Sequence, residues 1–119
     1  MRAYRPPLRF AKAKGWGLAV AGASVRYRKR VKMFDRIEMY SRLLGWDERF
    51  IYMDQTMWVR GACTSQALLR SAITQGKRGI VPPAEMAVAM GLSGESPALP
   101  GWVQDWIAAD ATRPWPPVV

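Results

Sequence analysis

Between residues 34 and 73 the chain alternates apolar and polar positions with the two-residue period that is typical of β-strands. The pattern predicts one strand over 37–44, a second over 49–59 and a third over 62–73. The turns between them contain Gly45 and Gly61, which suit tight reversals of the chain. The middle strand carries large apolar residues on both faces, so we expect both faces to be covered.

A further strand is predicted over 18–31, where Val25 and Tyr27 alternate with arginines. Because a short connection joins each strand to the next, we expect a four-stranded antiparallel meander over residues 17–75. A helix could cover one face of this sheet and a second subunit the other. A long amphipathic helix does not occur in these 119 residues. We therefore expect either that the sheet pairs with a second copy or that the chain lacks an element.

The flanking segments are predicted to be short or irregular. Residues 1–16 contain two adjacent prolines and are expected to be irregular, with the end of a helix at 8–14. Two short helices are expected within 82–110, the first over 83–90 and the second over 101–109. Residues 111–119 form a proline-rich tail of polyproline-like character. We expect the whole chain, 1–119, to be a single domain.

Composition excludes several kinds of catalytic site. The chain has no histidine and one cysteine, Cys63. This excludes a histidine general base, a Ser-His-Asp or Cys-His arrangement and a zinc site of ordinary ligand type, so no metal is expected. A lone cysteine forms no intrachain disulfide, which suits a reducing cytoplasm. In mid-strand, Cys63 is expected to be a small buried apolar residue.

The net charge of +9 belongs to one end of the chain. Residues 1–32 hold ten Lys and Arg and no acid, whereas residues 33–119 hold eight bases and nine acids. Three interpretations are open: a nucleic-acid or membrane arm, a targeting peptide, or a basic edge of the fold that meets a phosphorylated ligand. No nucleic-acid motif and no run of membrane-spanning length occurs, so we disfavour nucleic acid and expect no membrane partner.

Several stretches of the chain resemble one known family. These stretches are GASVRYR from Gly22, RLLGWDERF from Arg42, the strand Tyr52 to Gln55, VPPAE from Val81, and the later MG and SPALPGW. Through them the chain, from about Leu8 to Pro117, resembles the C-terminal two thirds of thioesterase-like proteins of the 4-hydroxybenzoyl-CoA thioesterase superfamily. These proteins have the hot-dog fold.

This resemblance implies an α+β fold in which an antiparallel sheet wraps a long central helix. It also implies that two subunits pair to build acyl-CoA sites and that acyl-CoA thioesters are hydrolysed. Coenzyme A would then be part of the substrate, with no separate cofactor. The expected oligomer is a homodimer or tetramer, and the expected location is the cytoplasm.

The chain departs from the family at its beginning. Such proteins normally start with a strand that carries an Asp and a turn that opens the central helix, and neither has a counterpart here. We therefore expect the N-terminal strand and central helix to be missing, together with the usual catalytic carboxylate. Asp54 is a weak substitute, which lies mid-strand among aromatic residues. The alternative is an outward-facing or paired strand carboxylate.

Basic residues in relatives meet the phosphates of coenzyme A in two places, which here hold Arg49 and the pair Lys77 and Arg78. Each could instead be a solvated surface base. Three functions follow from these observations. The first is an acyl-CoA thioesterase-like protein that is inactive without the missing segment. The second is a non-catalytic acyl-CoA-binding or dimerisation module, and the third is a basic nucleic-acid-binding protein.

Overall fold

The computed structural model describes residues 15–118. The expected helix end at 8–14 lies outside the described residues. Five strands, one 3₁₀ turn and two helices follow in chain order: β1 (Gly17–Tyr27), β2 (Glu38–Trp46), β3 (Phe50–Val59), β4 (Ala62–Gln75), the 3₁₀ turn (Gly76–Arg78), β5 (Gly79–Val81), α1 (Pro83–Ala89) and α2 (Gly101–Asp110). The predicted antiparallel sheet with two short C-terminal helices is therefore confirmed.

The strands pair antiparallel in the order β1-β4-β3-β2, and β5 pairs with the end of β4. The expected meander of four strands is wrong at its first step, because β1 lies beside β4 and not beside β2. Residues 28–37 separate β1 from β2, which is too long for a tight hairpin. Strand β4 has 14 residues, so its edge opposite β3 is long enough to pair with the full length of β1. Strand β5, with three residues, was not predicted.

The sheet has two faces, which we name by their residues on β3. Face A contains Ile51 and Met53, and the strand register adds Leu43 and Leu69 to it. Face B contains Tyr52, with which Leu44 and Leu68 are buried in one core. Two separate cores form as a result, one on each face, as the apolar residues on both sides of β3 predict.

The two helices cover opposite faces. Helix α1 covers one end of face A, where Met86 is buried against Ile51 and Ile73. Helix α2 covers face B, where Val103 is fully buried with Tyr52 and Leu68. Of the four large apolar residues of α2, Val103, Trp106 and Ile107 join this core, and Trp102 stays 48% exposed.

The connection between the helices crosses the outer edge of β2. The backbone amide of Trp46 donates to the Ser96 hydroxyl at 2.8 Å, and the Trp46 indole donates to the Gly94 carbonyl at 3.3 Å. Gly45 lies in a β-bulge at this crossing. A Cβ atom on Gly45 would lie only 2.6 Å from the Ser96 Oγ, so the loop requires glycine there.

Candidate functional site

Within residues 15–118, no helix covers face A beyond the end where α1 packs. Its apolar side chains on the two edge strands remain open to solvent: Val20 is 65% exposed, Val25 46%, Tyr27 82% and Met39 55%. The register places all four on the face that carries Met53 and Leu69. Monomeric proteins seldom leave such a strip uncovered, which marks it as a binding surface.

A cavity of about 540 Å³ lies at this bare end of face A. The residues that line it are Tyr27, Arg28, Lys29, Arg30, Val31, Met57, Thr64 and Ser65. The chain after β1 is fixed there because the amides of Arg28 and Lys29 donate to the Thr64 carbonyl at 2.8 and 3.1 Å. Three cations thus stand beside apolar strand residues, an arrangement that suits an amphipathic anion.

The predicted phosphate ligands lie at the other end of the sheet. Arg49 is exposed in the β2–β3 turn, and Lys77 is exposed in the turn that follows β4. Arg78 is exposed too, but its guanidinium donates to both carboxylate oxygens of Glu85, at 2.7 and 2.9 Å. These bonds lower the pKa of Glu85 and raise that of Arg78. The structure therefore brings Arg49 and Lys77 to one end, with the charge of Arg78 already paired.

Asp54 points to face B, away from the bare apolar strip. Only 7% of the residue is exposed. Its carboxylate accepts from the Gln66 amide at 2.9 Å and from the Arg42 guanidinium at 3.3 Å. Asp54 thus occupies the position of a paired strand carboxylate, and a substrate on face A would not meet it.

Within the described strands, the two acidic residues both lie on face B. Glu38 lies on the same face of β2 as Arg42, which is the cross-strand partner of Asp54. The polar groups that the same strands place on face A are neutral: Ser41, Gln55, Ser65 and Ser71. With no histidine in the sequence, the strand part of face A offers no side chain that acts as a general base near neutral pH.

Face B holds a polar network that the sequence interpretation missed. The Tyr52 hydroxyl donates to Asp47 at 2.6 Å and accepts from the Arg70 Nε at 3.1 Å. The Arg70 guanidinium also forms an ion pair with Asp110 on α2, at 3.0 Å. The guanidinium lies over the rings of Phe50, Tyr52 and Trp106, at 5.1, 5.5 and 4.7 Å from their centroids. Arg70 therefore ties α2 to the sheet.

This network shifts the pKa of two of its members. Burial alone would raise the pKa of Asp47, but hydrogen bonds from Tyr52 and from the amides of Arg49 and Phe50, with the charge of Arg70, lower it. Burial and the bond to Asp47 raise the pKa of the Tyr52 phenol to about 12. Since every member is bonded to another, the network is structural in character.

No metal-binding cluster of three or more His, Cys, Asp or Glu residues occurs among residues 15–118. In the same part of the chain, none of the helices has the length and apolar character needed to cross a membrane.

Sequence comparison identifies relatives of the chain. The sequence pattern of the thioesterase-like superfamily matches residues 2–107. Protein THEM6 of Xenopus laevis is 34% identical over 41 residues, which are 34% of this chain and 20% of THEM6. This chain thus spans a fifth of that curated relative's length.

Solved structures with the same fold include a probable thioesterase and a coenzyme A thioesterase. YbaW, a probable thioesterase from Escherichia coli, superimposes with a TM-score of 0.58 at 15% identity, over 65% of this chain and 60% of YbaW. The gentisyl-coenzyme A thioesterase BH1999 gives a TM-score of 0.56 at 12% identity, over 71% of this chain and 68% of BH1999. At such identities the likeness concerns the fold alone. With the superfamily pattern spanning most of its length and a hot-dog-like sheet and helices, the chain belongs to the thioesterase-like superfamily.

Proposed function

We propose that this protein is an acyl-CoA thioesterase-like protein that receives its acyl-CoA ligand on the bare part of face A. The observation that carries the proposal is the apolar strip that ends at a cavity beside Arg28, Lys29 and Arg30. An acyl chain is apolar, whereas the nucleotide end of coenzyme A carries phosphates that bind guanidinium and ammonium groups. Membership of the superfamily supports the same ligand class.

A second copy of the chain completes the site in this proposal. Within residues 15–118, the outer edge of β1 pairs with no strand, although β1 has 11 residues. A long open edge is a template for another strand. Antiparallel pairing of two β1 strands would join the two apolar strips into one surface, with one basic loop at each of its two ends. The homodimer is therefore part of the proposal, as is a cytoplasmic location, which the single cysteine supports.

The placement of acidic residues favours a second candidate function, which is binding of acyl-CoA without hydrolysis. Thioester hydrolysis needs a carboxylate as base or nucleophile, and it needs donors where the oxyanion develops. Glu38 and Asp54 both lie on face B, so neither reaches a ligand on face A. Loss of one oxyanion donor alone costs on the order of a hundredfold in rate. We expect the described strands to supply binding and not the catalytic group.

The experiment compares two valine substitutions, Val25→Asp on face A and Val118→Asp in the tail. Val25 is 46% exposed and Val118 85%, so neither change should unfold the protein. We expect Val25→Asp to weaken binding of a long-chain acyl-CoA by about tenfold or more, because a charge would meet the acyl chain. Val118→Asp should bind like the wild type. Isothermal titration calorimetry gives both affinities, and free coenzyme A reports the nucleotide contribution separately.

Sedimentation velocity of the same samples shows whether either substitution changes the oligomeric state. The proposal would be refuted if Val25→Asp bound acyl-CoA as tightly as the wild type while staying in the same oligomer. Absence of acyl-CoA binding by the wild-type chain would refute it as well. Release of free thiol from the bound ligand then distinguishes the thioesterase from the non-catalytic binder.

A further inference from the structure

The connection between β1 and β2 contains an exposed apolar turn. The amide of Asp35 donates to the Lys32 carbonyl at 3.1 Å, which closes a four-residue turn with Met33 and Phe34 at its apex. Met33 is 83% exposed and Phe34 is 96% exposed. Both side chains therefore project into solvent and contribute almost nothing to the core of the described fold.

Phe34 occupies a backbone conformation that suits other residues better. Its φ of 68° lies in the left-handed region, where Gly and Asn are favoured and a bulky residue is strained. A fully solvated phenylalanine brings no packing energy to offset that strain. The turn thus exposes a large apolar side chain and loses stability by doing so. This combination indicates that Phe34 contacts another molecule.

The base of the turn is held rigidly. The Asp35 carboxylate accepts from the backbone amide of Lys32 at 2.7 Å and pairs with Arg60 of the β3–β4 turn at 3.2 Å. The Asp35 side chain is only 7% exposed. These two contacts fix the apex relative to the sheet, so the apolar residues are displayed by an ordered support.

Positive charge surrounds this apex. Residues 26–36, which we call the basic loop, contain one acid and six bases: Arg26, Arg28, Lys29, Arg30, Lys32 and Arg36. The acid, Asp35, is already paired with Arg60. None of the six bases takes part in an ion pair among residues 15–118. The N-terminal residues 1–14 contain no acid that could neutralise them.

We propose that the basic loop binds the surface of an anionic lipid bilayer, with Met33 and Phe34 inserted among the headgroups. Stable attachment to a membrane surface takes two signals, and an apolar anchor with a polybasic segment supplies both. A nucleic acid would use the six bases but gives no role to exposed Met33, Val31 and Ile37. The contact is with the surface of the bilayer, and it revises the sequence-based expectation of no membrane partner.

The test measures cosedimentation of the full chain with vesicles of phosphatidylcholine, with and without phosphatidylserine. We expect binding to the phosphatidylserine vesicles, which added salt weakens. Phe34→Asn with Met33→Ser should reduce that binding by about tenfold or more, because insertion of apolar side chains is lost. Asn suits the φ at position 34, so this variant should fold. The control is Trp115→Ser, which removes another aromatic residue that is 89% exposed.

Four outcomes would overturn the proposal. The first is no binding of the wild type to phosphatidylserine vesicles, and the second is binding that the apex substitutions leave unchanged. The third is a change in sedimentation coefficient of the apex variant without lipid, which would make the apex a contact between copies. The fourth is tighter binding to a single-stranded oligonucleotide than to vesicles. Affinity for acyl-CoA should stay unchanged in the apex variant, because Met33 and Phe34 do not line the cavity.

Discussion

Replacement of Tyr52 by phenylalanine tests how strongly the face B network holds α2 to the sheet. Tyr52 is fully buried, and its hydroxyl bonds to both Asp47 and Arg70. The substitution leaves an Asp47 oxygen without a donor and the Arg70 Nε without an acceptor. A buried polar group left unsatisfied costs about 1–3 kcal/mol. Since Asp47 and Arg70 are only half-buried, we expect the lower part of that range, about 1–2 kcal/mol.

The assay is urea unfolding followed by tryptophan fluorescence, with the free energy of unfolding extrapolated to water. Tyr40→Phe is the matched control, because Tyr40 also donates one short hydrogen bond, at 2.6 Å to Glu38, but on the surface. We expect no measurable change for this control. If Tyr52→Phe were as stable as the wild type, or no less stable than Tyr40→Phe, the network would not stabilise the fold as described.

The stability difference between the wild type and Tyr52→Phe should also depend on pH. The pKa of Asp47 is lowered in the folded protein, and the bond from Tyr52 is one of the causes. A lowered carboxyl pKa contributes stability that is present above the ordinary aspartate pKa, about 4, and is lost as the pH falls through the folded value. The stability gap between wild type and Tyr52→Phe should therefore be full at neutral pH and narrow below about pH 4. A gap that widened in acid would contradict the assignment.

Two further substitutions test the loop crossing and the role of Asp54. Gly45→Ala should destabilise the protein by about 2 kcal/mol or more, since the added Cβ would lie 2.6 Å from the Ser96 Oγ and 2.9 Å from the Leu99 Cδ2. Gly101→Ala, with nothing within 4 Å of its added Cβ, is the control, and thermal melting compares the two. Asp54→Asn should lower stability modestly and leave acyl-CoA binding and any thiol release unchanged; loss of either in the folded variant would place Asp54 at the site.

The α+β class and the strands of the sheet could be predicted because local pattern determines them. Apolar and polar residues alternate in 37–44, 49–59 and 62–73 because successive side chains lie on opposite faces of a strand. Gly45 and Gly61 mark the turns between these strands. The position of β1 could not be predicted in the same way. Its partner is chosen by the length of residues 28–37 and by the free edge of β4, which are properties of the assembled sheet.

The sequence shows that the bases cluster before residue 33, but it does not show the cavity that they line. The assignment of the phosphate ligands to Arg49, Lys77 and Arg78 follows from the resemblance and stays a prediction. The cavity beside Arg28 depends on contacts between β1, β3 and β4, which no local pattern contains. Arg70 was missed because a single arginine in a strand carries no signal until the register places it beside Phe50 and Tyr52.

The crossing of the C-terminal segment from face A to face B has a consequence for synthesis on the ribosome. All five strands of the described sheet precede α1 and α2 along the chain, so they leave the ribosome before either helix exists. Ile51 and Tyr52 are 2% and 0% exposed in the folded protein. Before the helices emerge, both residues are exposed, one on each face of the sheet. Nascent chains with exposed apolar strands are prone to misassociate. The growing polypeptide should therefore depend on chaperone protection until Asp110 has emerged and α2 can dock.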